Sequence, residues 1–181
     1  MKINQKEFTV NGIDYIIRSA VNKDAEELSS VRLQIDGETE NLDREKGEAF
    51  IDTSGFESLI QADTENEKNL FLVAVVNDRI VGFSRCEGNF LKRFAHKVEF
   101  GVCVLQDYWG LSIGTNLLKE SIAWADSNGI TKITLQVLES NDKAIHLYKK
   151  FGFKVEGVLE HDKILSDGRY YNTVVMGRFK G

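Results

Sequence analysis

Hydrophobic and polar positions change rhythm along this chain, and the changes separate strands from helices. Phe8–Val10 and Ile13–Arg18 flank Asn11-Gly12. That dipeptide favours a two-residue hairpin, because both turn positions need positive φ. The first strands are therefore expected at roughly Glu7–Val10 and Ile13–Ser19. From Asn22 onward Ala25, Leu28, Val31 and Ile35 fall three or four apart, which predicts a helix capped by Asn22 or Asp24. The stretch Asp36–Thr53 is polar and weakly periodic, as a solvated loop or a loose helix would be. A short helix fits Gly55–Gln61. Asn69–Val76 and Arg79–Gly88 surround Asn77-Asp78 and form a second predicted hairpin.

Val98–Leu105 is apolar at nearly every position and is expected to be a central strand. A loop with Gly110 and Gly114 then leads into a helix over about Ile113–Asn128. Leu117, Leu118, Ser121, Ile122 and Ala125 line one face of it, and Gly129 is placed to stop it. Lys132–Leu138 is a strand. Asn141 opens a third amphipathic helix, with Ala144, Ile145, Tyr148 and Phe151 on one stripe and Gly152 at its end. Strands at about Lys154–Ile164 and Tyr170–Phe179 close the chain around Ser166-Asp167-Gly168. The order ββααβββαβαββ predicts one mixed α/β domain over residues 1–181. Its sheet is largely antiparallel, with crossover helices only in the second half.

Composition narrows the classes. A chain of 181 residues suffices for one domain with a full core. At 42% apolar and 28% charged residues it matches an ordinary globular protein. No apolar run approaches the roughly 20 residues of a membrane helix. The first ten residues lack the apolar stretch of a secretory signal. A cytoplasmic location without a membrane partner is the expectation. The formal net charge is −5 and no basic stripe appears, which argues against nucleic-acid binding. Cys86 and Cys103 sit in strand-like segments and are expected to be buried thiols. His96, His146 and His161 are scattered, so no metal site is expected.

The informative stretch runs from Val102 to Leu118. A buried strand gives way to a glycine-bearing loop, and a helix opens behind it. The first N–H groups of a helix lack intrahelical partners and carry partial positive charge. Small residues let an anion approach them, as a pyrophosphate cradle requires. Judged alone, the loop fits a plain turn equally well. GxxxxGK[ST] and GxGxxG are both absent, which excludes a Walker loop and a dinucleotide fingerprint.

Two segments at the right separation resemble the GNAT superfamily. Its [Q/R]-x-x-G-x-[G/A] pattern matches Trp109, Gly110, Leu111, Ser112, Ile113 and Gly114, with Trp109 for Gln or Arg and Ser112 for Gly. Its N-x-x-A-x-x-x-Y-x-x-x-G-F element matches Ser140–Phe153. The resemblance covers roughly Leu70–Phe179; the N-terminal third fits only the order of elements. It implies a GNAT fold, with a mostly antiparallel twisted sheet of about seven strands and helices on both faces. The implied activity is transfer of acetyl from acetyl-CoA to a primary amine of a small molecule or peptide, by direct attack in a ternary complex.

The resemblance also assigns roles. Val102, Cys103 and Val104 would carry the pantetheine along their backbone. Trp109, Gly110, Leu111, Ser112, Ile113, Gly114 and Thr115 would surround the pyrophosphate, mainly through backbone donors, since the loop lacks Arg and Lys. Ser112 is expected to keep a negative φ, because its Cβ lies where the backbone must pass the phosphates. Asn141 would contact the pantetheine; its spacing alone makes it an N-cap. Tyr148 would help bind the cofactor and protonate the departing thiolate, a task for a phenol neutral at pH 7. Its spacing alone makes it a core aromatic.

An amine with a pKa near ~10 must lose a proton before attack. Glu99 would serve as base, directly or through a water. Gln136 stands where some relatives carry Glu, and Glu139 lies nearby. The acceptor is expected between Asp36–Ser54 and His161–Tyr171, where Tyr170 and Tyr171 could pack on it. A non-catalytic acyl-CoA-binding or sensor domain is the alternative; a purely structural domain would bind no cofactor. The last strands offer edges for a homodimer.

Overall fold

The computed structural model describes residues 2–180. Its elements follow the expected order. They are β1 (Lys6–Val10), β2 (Ile13–Ser19), α1 (Ala25–Asp36), α2 (Thr53–Glu65), β3 (Leu70–Val76), β4 (Arg79–Gly88) and β5 (Lys97–Val104) in the first part. Then come α3 (Ile113–Ser127), β6 (Lys132–Leu138), α4 (Asp142–Lys150), β7 (Lys154–Ile164) and β8 (Tyr170–Phe179). The strands form one eight-stranded sheet in the order β1-β2-β3-β4-β5-β6-β8-β7, one strand more than the resemblance implies. Every neighbouring pair is antiparallel except β5–β6. A parallel pair needs a crossover, and α3 supplies it.

Local chemistry explains most boundaries. Asn11 and Gly12 have φ of 51° and 77°, and Asn77 and Asp78 have 47° and 62°, as tight hairpin turns demand. A 3-10 turn at Asn22–Asp24 precedes α1. The Asp24 carboxylate does not cap the helix; it binds Arg18 at 2.6 and 2.9 Å and the Val21 N–H at 2.9 Å. Helix α2 is longer than its spacing predicts. Asp52 caps it by accepting from the Gly55 N–H at 2.8 Å, which starts the helix at Thr53.

Strand β4 shows how the layers are arranged. The Ser84 hydroxyl lies 3.4 Å from that of Ser121 in α3, while the next residue, Arg85, bonds Asp63 of α2. Successive strand residues point to opposite faces. Helix α3 therefore covers one face of the sheet, and α1 and α2 the other. Leu28, Leu72, Val81, Leu117 and Leu118 are fully buried between these layers, each contributing about 1.5–3 kcal/mol relative to exposure.

Candidate functional site

The site begins where the sheet parts. Strand β5 pairs with β4 from Val98 to Val104, but with β6 only at Lys97/Lys132, Val98/Ile133 and Glu99/Thr134. Beyond Glu99 the two strands diverge, and β6 continues paired with β8 on its other side. From Phe100 to Val104, one edge of β5 therefore faces an opening instead of a strand. Val102, Cys103 and Val104 are part-exposed there, and Glu99 is exposed at the apex. A strand edge with free backbone groups can accept an extended ligand as an added strand.

At the wide end of this opening the chain turns sharply into α3. Tyr108 N–H bonds the Leu105 carbonyl, and Trp109 N–H bonds that of Gln106. Gly110 follows with φ of 83° and Ser112 with 58°. The expectation of negative φ at Ser112 is thus overturned. A non-glycine residue in this region costs about 1–2 kcal/mol, and distant groups impose it. The Leu111 carbonyl accepts from the Tyr15 hydroxyl at 3.2 Å, and Tyr15 in turn accepts from Asn116 Nδ2 at 2.6 Å. Asn116 N–H closes on the Ser112 carbonyl at 2.9 Å.

The result is a helix start without a lid. No side chain caps α3, and among the described residues no group accepts from the N–H groups of Ile113, Gly114 and Thr115. Trp109 occupies the Gln/Arg position of the pattern as a fastener: its indole N–H donates to the Val104 carbonyl at 2.8 Å. Half the residue remains exposed beside the loop.

Helix α4 follows the end of β6, the strand that forms the other margin of the opening. Asn141 Oδ1 accepts from the Ala144 N–H at 3.2 Å, so it is an N-cap. Its side-chain amide has no partner among the described residues, which leaves it free to donate elsewhere. Tyr148 is buried against Phe153, with ring centres 5.7 Å apart. Burial pushes its phenol up to about 12. No protein group among the described residues bonds its hydroxyl. Such a phenol stays protonated at ordinary pH and can donate.

The two segments expected to flank an acceptor do meet. Glu40 Oε1 accepts from the Ser166 N–H at 2.8 Å, and Asp43 pairs with Lys163. Glu38 Oε2 reaches the Gln106 N–H at 2.7 Å, where the loop leaves β5. Tyr170 is exposed, edge-on to the His161 ring, while the Tyr171 hydroxyl donates to Asp167 at 2.8 Å. Sequence spacing gave no signal for Glu38, or for the Tyr15–Asn116 tie, because each joins residues far apart in the chain. Cys86 is buried, with its thiol pushed up to about 12 by burial; Cys103 is part-exposed as a residue, contrary to expectation, although burial raises its thiol too. Among the described residues no group of three or more His, Cys, Asp or Glu is placed to hold a metal ion. No helix there is long and apolar enough to cross a membrane.

With this geometry in hand, similarity to known proteins is informative. The model of the Acetyltransferase (GNAT) family matches residues 36–153. The chain is 31% identical over 110 residues to the L-amino acid N-acetyltransferase AaaT of Escherichia coli (strain K12), covering 60% of this chain and 67% of that one. It is 40% identical over 100 residues to the N-alpha-acetyltransferase of Sulfurisphaera tokodaii, covering 50% of this chain and 60% of the relative. A GNAT-family acetyltransferase from Streptococcus pneumoniae has a crystal structure similar at a TM-score of 0.88 and 27% identity, over 92% of this chain and 99% of that one. The fold is also that of yncA from Salmonella typhimurium, solved with its cofactor acetyl-CoA, at a TM-score of 0.79 and 20% identity, over 90% and 92% of the two chains.

Proposed function

The chain belongs to the Acetyltransferase (GNAT) family of acyl-transferring enzymes, and from that premise we propose that it moves the acetyl group of acetyl-CoA onto a primary amine of a small molecule or peptide. The amine attacks the thioester directly while both substrates are bound. The observation that carries this reading is the pairing of an open β5 edge with an uncapped helix start at its end. An extended arm and an anionic group in one ligand need those two features side by side.

On this reading the backbone of Val102, Cys103 and Val104 holds the pantetheine, and an N–H of Val102 or Val104 polarises the carbonyl as charge develops. The Val104 carbonyl is already bonded to the Trp109 indole, so Trp109 steadies that edge. The N–H groups from Gly110 to Thr115, through Leu111, Ser112, Ile113 and Gly114, meet the pyrophosphate. The free amide of Asn141 donates to the arm. Tyr148 supplies a proton or a hydrogen bond to the departing thiolate. Glu99, at the apex where β5 and β6 part, takes the proton of the attacking amine, directly or through a water. The names of the relatives include an L-amino acid, an N-alpha position and spermidine, which fits an amine acceptor without choosing among amines.

Thiol release from acetyl-CoA, followed with a panel of amines, tests the proposal. Amine-dependent release is expected. Acetyl-CoA binding that raises the melting temperature, without release for any amine, would instead mark a sensor.

A further inference from the structure

The face of β5 turned toward α1 and α2 carries a row of three residues. Glu99, Gly101 and Cys103 lie opposite Glu87, Arg85 and Phe83 of β4. Arg85 bonds Asp63 of α2, which fixes the side on which the row lies. At one end stands the exposed carboxylate of Glu99. At the other, the segment that follows α1 reaches the end of β5, where Glu38 accepts from the Gln106 N–H at 2.7 Å, and it brings Asp36, Arg44 and Arg32 within electrostatic range of the Cys103 thiol. Burial and Asp36 push that thiol's pKa up, while Arg44 and Arg32 pull it down.

The cluster does not balance. Arg44 grips both oxygens of Asp36, at 3.2 and 3.0 Å. Arg32 lies 4.0 Å from the same carboxylate and gives its Nη1 hydrogen to the Ala49 carbonyl at 2.7 Å. Two guanidinium groups share one carboxylate, leaving a surplus of one positive charge. Arg32 is 8% exposed and Asp36 6%. Burial first, then repulsion from Arg44, lower the pKa of Arg32. A buried surplus charge is costly until a counter-ion meets it. Asp43 pairs with Lys163, while Glu38 accepts from the Gln34 amide and the Gln106 N–H and Glu40 from the Ser166 N–H; among the described residues none of these acids bonds Arg32 or Arg44. Arg44 keeps 29% of its side chain exposed, so the cluster can be reached.

Between the two ends lies room. Gly101 is exposed, and a Cβ placed on it would meet nothing within 4 Å. At about 3.3 Å per residue, Gly101 stands roughly 7 Å from Glu99 and from Cys103. The row thus presents a base, an open step and a cationic end within the span of a small amphoteric molecule.

We infer that the acceptor is an amine bearing a carboxylate, or an oxyanion of like charge, a few bonds from its nitrogen. The nitrogen sits over Gly101 facing Glu99, and the anion faces Arg44 and Arg32. This rests on the acetyl transfer proposed above and names its acceptor class. A polyamine would set a second ammonium against the surplus positive charge and is disfavoured.

The test compares free amino acids with their amides, their decarboxylated amines and spermidine, using the full chain and acetyl-CoA. The expected result is a kcat/KM at least tenfold higher for the acids. Arg44→Gln should raise KM for the acids about tenfold, leave kcat and the KM for acetyl-CoA in place, and hardly change turnover of the amides. Arg44→Lys should recover part of the loss. Equal turnover of acids and amides, or preference for spermidine, overturns the inference without any variant, so a misfolded variant cannot shield it. Absence of thiol release with every acceptor overturns the acetyl-transfer reading and this one with it; release that ignores the carboxylate overturns this one alone.

Discussion

Two helices begin beside the same opening, and they begin differently. Helix α4 starts at Asn141, whose side chain closes on the Ala144 N–H. Helix α3 starts at Ser112, a left-handed residue whose hydroxyl caps nothing, and its first N–H groups have no acceptor among the described residues. Both starts follow a sheet strand. The capped one satisfies its own donors and places a buried tyrosine in the helix behind it. The uncapped one keeps strained backbone and unspent donors, which is the arrangement a ligand can complete. Strain of this kind persists only where surrounding structure holds it. Here Tyr15 and Asn116 do the holding.

Substitutions at either helix start should separate their roles. The largest effect is expected at α4, where Tyr148→Phe should lower kcat on the order of 100-fold, the lower range for a lost proton donor. The KM for acetyl-CoA should stay put. Unchanged turnover would reduce Tyr148 to packing. The same variant has a stability signature. The folded pKa lies near 12, above the ordinary phenol value of about 10, so the native state holds its proton more tightly. Stability should fall as pH rises from about 10 toward about 12, and the variant should lack that fall. Urea melts across this range would show it.

The next effect belongs to α3. Gly110→Val places a β-branched residue at a φ of 83° and should abolish the rise in melting temperature caused by acetyl-CoA, while costing about 1–2 kcal/mol in its absence. Asn141→Ala removes a cap and should cost about 1 kcal/mol in urea denaturation, with a smaller rise in the KM for acetyl-CoA. An undiminished stability would break the claim that α4's start is structural. Ser112→Gly is the gentlest change and should go the other way, stabilising the chain by up to about 1 kcal/mol by relieving the left-handed serine. If it destabilises instead, Ser112 makes a contact that offsets its strain.

The order of elements was legible because it is written locally. Asn11-Gly12, Asn77-Asp78, Gly129 and Gly152 each mark a positive φ, and each ends or turns an element. Asn141 as cap and Tyr148 as buried stripe residue were equally visible, since helical spacing alone predicts both. The site was less legible wherever a distant residue decides the geometry. The sign of φ at Ser112 depends on Tyr15, 96 residues from Leu111 in sequence. The start of α2 was missed because Asp52 lies outside its apolar stripe. Where β5 and β6 part is a property of pairing, which no single strand's sequence carries. The charge surplus around Asp36 was hidden because Arg32, Arg44 and Cys103 come from three separate segments.

The short seam between β5 and β6 also bears on how the molecule opens. Strands β3 and β4 pair from Leu70/Cys86 to Val76/Arg79, whereas β6, β8 and β7 join the rest of the sheet through three residue pairs. Contacts such as Arg178–Asp126 and Asp43–Lys163 reinforce that junction from the surface. Sub-global units of this kind unfold transiently below the global free energy. Amide hydrogens of β7 and β8 should therefore exchange with deuterium sooner than those of β3 and β4. On the proposed reading acetyl-CoA would bond both margins of the opening, so its arrival should slow that exchange and join two cooperative units into one.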